Sequence, residues 1–428
     1  MRKPGFVLTV LLAIVLAGCG VIPVSAGEMA QSDLKQDTAP TVSAADMQVL
    51  IEGNSRFAFD VYSQVRSQSG NLIYSPYSIS LAAAMLYPGA NGDTASQIAS
   101  TLGFTLPEQA FHPTFNALQL ELAQRPDQAK KADKDARLEL NIANAVWGQK
   151  GYAFEQPYLD LLAVNYGAGI HLVDFLGAPA DAANQVNRWV DEQTRGKIKD
   201  VLDPNTLDPT TRLLLANAVY FKANWQEAFV KKLTSDAPFT LLDGTQVQVP
   251  MMESDGVIPV RIATGEGYQA VALAYKGELA EMVILLPDQG NFEAFEGSLD
   301  ASRFSSILAE LSPASVPLHM PKFEFSSDFN LVPILSEMGM PLAFDPQNAD
   351  FSRISKEEQL YVENALHMAY VLVNEEGTEA AAVTIFQVAP ASLPPSEVRI
   401  DRPFIFIIRD VPSGTVLFVG RVLNPLES

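Results

Sequence analysis

Few residues of this chain are spaced for covalent or metal chemistry. Its four histidines, His112, His171, His319 and His367, stand apart with no HExxH or paired ligand spacing, so no metal site is expected. There is no G-x-S-x-G elbow, P-loop or CxxC, and Gly265-Glu266-Gly267 reads as a turn rather than a phosphate cradle. Glu375 and Glu376 form a carboxylate pair, but adjacent residues in a strand point to opposite faces. No cofactor is expected, and an exported hydrolase is contradicted by the missing catalytic constellation. The informative residues are Asn374-Glu375-Glu376-Gly377-Thr378-Glu379-Ala380-Ala381-Ala382-Val383-Thr384, fed by the strand-like run Met368 to Val373. Twelve uncharged residues follow, three of them prolines, before Glu397. Small side chains, a glycine and an extended tail suit a backbone that slides into a tight place.

Strand alternation sorts that segment into two faces. Thr378, Ala380, Ala382, Thr384, Phe386 and Val388 share one face, and it carries no charge. Glu379 and Gln387 fall on the other. A charge or proline early on the first face would be costly in a buried strand, through desolvation or a lost ladder bond. Pro390, Pro394 and Pro395 hold the residues before them extended.

The elements around this segment follow from periodicity. Residues 46–67 read as a helix with Leu50, Phe57, Ala58, Val61 and Val65 near one face. Ser78 to Leu86 reads as an apolar helix led in by Ser75-Pro76. Asn91-Gly92-Asp93 is a turn before Thr94, which caps a short helix from Ala95 to Leu102. Ala180 to Thr194 is helical, with Val186, Trp189 and Val190 as its apolar side. Leu138 to Trp147 reads as a strand. Leu213 to Phe221 is an apolar run broken only by Asn217, the mark of a strand buried on both faces. Strands are expected at Tyr268 to Ala274, Ala280 to Leu286, Val316 to Phe325, Ile400 to Arg409 and Val416 to Val422, the last two flanking the turn Pro412-Ser413-Gly414. Helices early and strands late make the class α+β, with large antiparallel or mixed sheets in one domain.

Composition sets outer limits. The chain has 428 residues, 48% hydrophobic and 18% charged, enough for a sizeable core. A formal charge of −21 disfavours nucleic acid and anionic lipid as electrostatic partners. Arg2 and Lys3 precede the apolar run Phe6 to Ala17, which is short for a bilayer span. Leu16-Ala17-Gly18-Cys19 looks like a bacterial lipobox, and Cys19 is the only cysteine. The expectation is a lipoprotein signal at residues 1–18, lipid on Cys19, and an extracytoplasmic location anchored to a bacterial membrane. The alternative is secretion after cleavage following Ala26. Residues 19–45, small and polar, read as a flexible tether.

Several separated motifs occur in a telling order. They are Asn71-Leu72-Ile73-Tyr74-Ser75-Pro76-Tyr77-Ser78-Ile79, Gly89-Ala90-Asn91-Gly92-Asp93-Thr94, Asn187-Arg188-Trp189-Val190 and Thr194-Arg195-Gly196-Lys197-Ile198. Leu215-Ala216-Asn217-Ala218-Val219-Tyr220-Phe221-Lys222-Ala223-Asn224-Trp225 follows, then Asp401-Arg402-Pro403-Phe404-Ile405-Phe406 and Gly420-Arg421-Val422-Leu423-Asn424-Pro425. With the 374–384 passage, they make residues 46–428 resemble the serpins, the conformationally trapping protease inhibitors. Pro88 before Gly89-Ala90, and Ala223 where glycine is common, are minor departures.

The resemblance implies a serpin fold, with helices on a large central sheet, smaller sheets and an exposed reactive loop. It implies no enzyme, but an irreversible suicide inhibitor that is monomeric and ends in a covalent complex with its target protease. The hinge would comprise Glu375, Gly377, Thr378, Glu379, Ala380, Ala381, Ala382 and Thr384. Glu375 and Lys322 correspond to an ion pair at the top of the sheet, with Trp225 beside them. Ser75, Asn217 and His367 correspond to a hydrogen-bonded shutter under the sheet centre. By spacing from the hinge the scissile bond is Ala391–Ser392, although Val388–Ala389 or Phe386–Gln387 could serve another enzyme. A small residue before the bond suits elastase-like or subtilisin-like serine proteases and disfavours arginine-directed ones. Alternatives are inhibition of a papain-like cysteine protease, or a non-inhibitory serpin acting as a binding protein. No basic helix stands out for a heparin-like activator.

Overall fold

The computed structural model describes residues 27–205, 207, 211–356, 359–378 and 397–427. Cys19, Glu379, Ala380, Ala381, Ala382, Thr384 and the Ala391–Ser392 bond lie outside the described residues. Two sheets and a set of helices form an α+β architecture. The seven-stranded central sheet runs in the order Met29–Ala30, Ile170–Val173, Glu139–Gln149, Leu213–Asn224, Gly377–Thr378, Val362–Asn374 and Phe323–Asn330. A nine-stranded sheet runs from Val398–Arg399 through Ser312–Pro321, Gln246–Gly265, Tyr268–Ala274, Ala280–Pro287, Phe404–Asp410 and Val416–Val422 to Leu72–Tyr74, with Ser235–Thr240 on its flank.

The central strands are apolar throughout because both of their faces are covered. Leu213, Leu215, Val219, Phe221 and Ala223 face the main core. Leu214, Ala216 and Ala218 face a second cluster, roofed by Val186 and Val190 of the Pro179–Gln193 helix. The Val362–Asn374 strand divides in the same way: Ala365, Ala369, Val371 and Val373 point into the main core. Beneath that inner face lies the Pro76–Leu86 helix, buried along its whole length. Alongside packs the Ala44–Val65 helix, whose Ser43 Oγ caps it by accepting from the Asp46 amide at 3.0 Å.

Four expectations need correction. Residues 27–43 are not a tether: Met29–Ala30 pairs with the edge strand Ile170–Val173, and the Asp37 amide donates to the Val164 carbonyl at 2.9 Å. Fully buried Asn116 donates to the Asp37 carbonyl at 2.7 Å and accepts from the Gln36 side-chain Nε2 at 3.0 Å. The segment is polar because its partners are polar groups far along the chain. The expected strand Val316 to Phe325 is two strands in different sheets, broken at Lys322, whose amide bonds the Pro250 carbonyl at 2.9 Å. Thr94 does not cap its helix, which begins at Gly92; its hydroxyl is buried and accepts from the Asp350 amide at 3.0 Å. The strand expected from Ile400 starts at Phe404. The longest helix among the described residues, Glu108–Ala132, was not anticipated, because Pro113 and Pro126 lie inside it.

Candidate functional site

Gly377 and Thr378 are threaded between two central strands. Val362–Asn374 rises to the top of the sheet, and the chain turns back through Glu375 and Glu376. Thr378 then pairs antiparallel with Val373 on one side and with Ala223 on the other, and Gly377 pairs with Asn374 and Asn224. Below this point the flanking strands pair directly with each other, in parallel, from Val362 and Leu213 to Ala369 and Val219. The top of the sheet is therefore already parted by two residues, while its lower part is closed. Only glycine fits at 377, because a Cβ there would strike the Ala223 carbonyl and the Asn224 backbone.

The turn is held by charge and by backbone bonds. The Lys322 ammonium lies 2.6 Å from a Glu375 carboxylate oxygen, and the Thr234 hydroxyl donates to the same oxygen at 2.8 Å. Burial pushes the Glu375 carboxyl up, but the bonds from Lys322 and Thr234 outweigh it and hold it below the usual carboxylate range. The break between two sheets at Lys322 is what delivers its side chain here. Glu376, which points the other way, pairs with Lys231 at 2.5 Å. The Trp225 amide donates to the Glu376 carbonyl at 2.8 Å, and the Phe229 amide to the Glu375 carbonyl at 2.8 Å. The Trp225 indole donates to the Asn374 carbonyl at 3.0 Å. Trp225 lies flat on Tyr275, with centroids 4.6 Å apart and planes 9° apart. The Tyr275 hydroxyl meets the Thr378 hydroxyl at 2.7 Å.

A second polar cluster sits under the middle of the sheet. His367 and Asn217 face each other across the parallel pair, on the inner face. His367 Nδ1 bonds the Asn217 side-chain oxygen, and the Asn217 amide reaches Ser78 Oγ and the Asn144 side-chain oxygen. His367 Nε2 accepts from the Ser75 amide at 2.9 Å, which places the ring proton on Nδ1. Burial pushes the His367 imidazole down to about 3, so the ring is neutral. Ser75 acts here through its backbone, while its hydroxyl caps the Pro76–Leu86 helix.

Of the expected residues, the structure brings Glu375, Gly377, Thr378, Lys322 and Trp225 into one cluster and Ser75, Asn217 and His367 into another. Sequence reasoning missed Thr234, Lys231 and Tyr275 in the first, and Ser78 and Asn144 in the second. Asn144 carried a usable signal, a polar residue inside the expected strand Leu138 to Trp147. Tyr275 carried none, since it lies beyond the end of its strand. Among the described residues no group of three His, Cys, Asp or Glu could hold a metal ion, and no helix is long and apolar enough to cross a membrane.

Comparison with known proteins agrees with this architecture. The family model described as Serpin (serine protease inhibitor) matches residues 52–425. An uncharacterized serpin-like protein of Thermococcus kodakarensis is 36% identical, with 100% of each chain covered. The leukocyte elastase inhibitor of Equus caballus is 36% identical over 89% of this chain and 100% of its own. Among solved structures, the thermophilic serpin tengpin in its native state superimposes with a TM-score of 0.81 at 25% identity, covering 93% of this chain and 99% of tengpin. Human thyroxine-binding globulin complexed with thyroxine gives 0.78 at 31% identity, covering 89% and 100%. A glycine threaded into the top of a central sheet, a polar cluster beneath it and a family match over most of the chain lead to one conclusion: this protein belongs to the serpin family.

Proposed function

We propose that this protein is an irreversible suicide inhibitor of an elastase-like or subtilisin-like serine endopeptidase. The protease serine Oγ attacks the Ala391 carbonyl, the Ala391–Ser392 bond breaks, and the proton passes to the Ser392 amine. The ester left on Ala391 is then carried away as the loop enters the central sheet. The observation that carries this reading is the register of the two inserted residues. Thr378 lies opposite Val373, so eleven positions further on Ala389 meets Val362, the last paired residue of that strand. On the other side Val388 meets Leu213, the start of its strand. Pro390, which cannot donate to a ladder, falls just past the end of both. The slot and the proline-free stretch of the loop therefore match in length. Insertion would carry the acyl-enzyme roughly 40 Å.

The same register sets Thr384 between Asn217 and His367 in the inserted state. Its hydroxyl would then offer a partner to His367 Nδ1 and the Asn217 side-chain oxygen, which an apolar strand would part from each other without replacement. Elastase as the class of target is supported by the small residue before the bond and by relatives named leukocyte elastase inhibitors. A non-inhibitory binding role is the second reading, favoured by the likeness to thyroxine-binding globulin. The protein is further proposed to act as a monomer, exported and held at a membrane by lipid on Cys19. A mass shift on the N-terminal peptide that is absent in Cys19→Ser tests the anchor.

The test of inhibition is a denaturing gel of the protein mixed with an elastase-like protease, with mass spectrometry of the released peptide. A covalent band plus a peptide beginning at Ser392 is expected. Loop cleavage by a panel of serine proteases with no covalent band from any of them would overturn the reading.

A further inference from the structure

Tyr275 lies outside every motif that led to the hinge, yet it is the side chain that meets the inserted part of the loop. It follows the Tyr268–Ala274 strand, bridges to Trp225 and is fully buried between Trp225 on its face and Phe221 on its edge. These aromatic contacts fix the ring, so its hydroxyl has one direction to point. In that direction is Thr378 Oγ1 at 2.7 Å, itself only 1% exposed. Both hydroxyls are out of water, and each satisfies the other. A hydroxyl left alone there would carry the full cost of desolvation.

The consequence depends on where the hinge is. With Thr378 in the sheet the pair is made. With Thr378 out of the sheet the pair is broken, so it is a contribution specific to the inserted position. Resting on the inhibitory reading above, we infer that Tyr275 is a positioning residue for loop insertion. It latches Thr378 between Ala223 and Val373, so that insertion after cleavage extends a ladder already begun and outruns hydrolysis of the acyl-enzyme.

Hydroxyl removal separates this role from packing. Tyr275→Phe leaves the Thr378 hydroxyl buried and alone, and Thr378→Val does the same to the Tyr275 hydroxyl. Each single variant should release the hinge, whereas the double variant places an apolar pair in the slot and should restore it. The first readout is hydrogen–deuterium exchange of peptides covering residues 221–225 and 374–378 in the uncleaved protein, with no protease present. Each single variant should exchange about fivefold or more faster there, and the double variant should return toward wild type. The second readout is the stoichiometry of inhibition of an elastase-like protease, which should rise about two- to fivefold in the singles and fall back in the double. Unchanged exchange in Tyr275→Phe, a double variant worse than both singles, or faster exchange at constant stoichiometry would each overturn the inference. Should the wild type trap no protease at all, the inhibitory reading falls, while the exchange pattern still decides whether Tyr275 holds the hinge.

Discussion

At the scale of single residues, two buried positions carry opposite demands. Thr378 must be small and uncharged because its side chain ends against Tyr275 in a space closed to water. Thr378→Arg would bury a guanidinium with no carboxylate facing it, at a cost of several kcal/mol. The hinge would be expelled and insertion stalled at its first step. The expected outcome is cleavage of the loop with stoichiometry raised at least about tenfold, read from the ratio of cleaved to covalent product on a gel. His367 must stay neutral, because its Nε2 accepts from the Ser75 amide and its ring is sealed under the sheet. In the unfolded chain this imidazole titrates near its ordinary value of 6.5, and in the folded protein near 3. Between those values the unfolded state binds the extra proton, so stability falls as pH is lowered from about 6.5. His112, pushed down to about 4 by burial, adds to the same window. The Glu375 carboxylate acts lower: its folded value is depressed, so its contribution is lost only as pH falls below the ordinary carboxylate range. His367→Gln should flatten the pH dependence of unfolding between 6.5 and 4 by up to about 1.4 kcal/mol per pH unit. An unaltered slope would mean the ring does not titrate on unfolding.

At the scale of elements, legibility depended on whether a segment's partners lie close in sequence or far away. The Leu213 to Phe221 run, apolar except for Asn217, announced a strand covered on both faces, and the family resemblance marked Asn217 as part of the polar cluster. Of the hinge, Glu375, Gly377 and Thr378 lie where the family resemblance implies, at the top of the sheet, and Thr378 is on the inward face. The Glu108–Ala132 helix was hidden by two internal prolines. The break at Lys322 was hidden because an apolar strand that changes sheets looks continuous. The N-terminal segment was misread for a related reason: Ser32, Gln36 and Asp37 look like linker residues until Asp160, Val164 and Asn116 are brought to them by the fold. Its docking can be checked directly. Deleting residues 27–42 while keeping the Ser43 cap uncovers the strand Ile170–Val173 and removes Gln36 and Asp37 from Asn116. The thermal midpoint should fall by roughly 3–8 °C by calorimetry, and a change under about 1 °C would show that the segment contributes no stability.

At the scale of the whole molecule, the central sheet is parted at its top by Gly377 and Thr378 and closed below, and on the proposed mechanism it would take one more strand. Admitting it means parting the direct pairing between Val362–Ala369 and Leu213–Val219. The incoming strand then replaces that one set of bonds with two, one on each of its sides. The net gain would be about one ladder of eleven residues, plus burial of the residues that alternation puts on the Thr378 face, such as Phe386 and Val388. At about 1 kcal/mol per net hydrogen bond this is on the order of 10 kcal/mol. On the proposed mechanism the gain is out of reach before cleavage, because the loop is tied at both ends: Thr378 is in the central sheet, while Val398 and Arg399 pair with Leu318 and His319 in the other. Cutting the loop between those ties removes the constraint without adding any ligand. Loop cleavage by a protease that is not itself trapped should therefore raise the thermal midpoint by at least about 15 °C, with both fragments remaining associated. Thr378→Arg, cleaved at the same bond, should show a much smaller rise. If the cleaved wild type melted where the intact protein does, the sheet would not take up the loop, and binding without trapping would be the reading left for this fold.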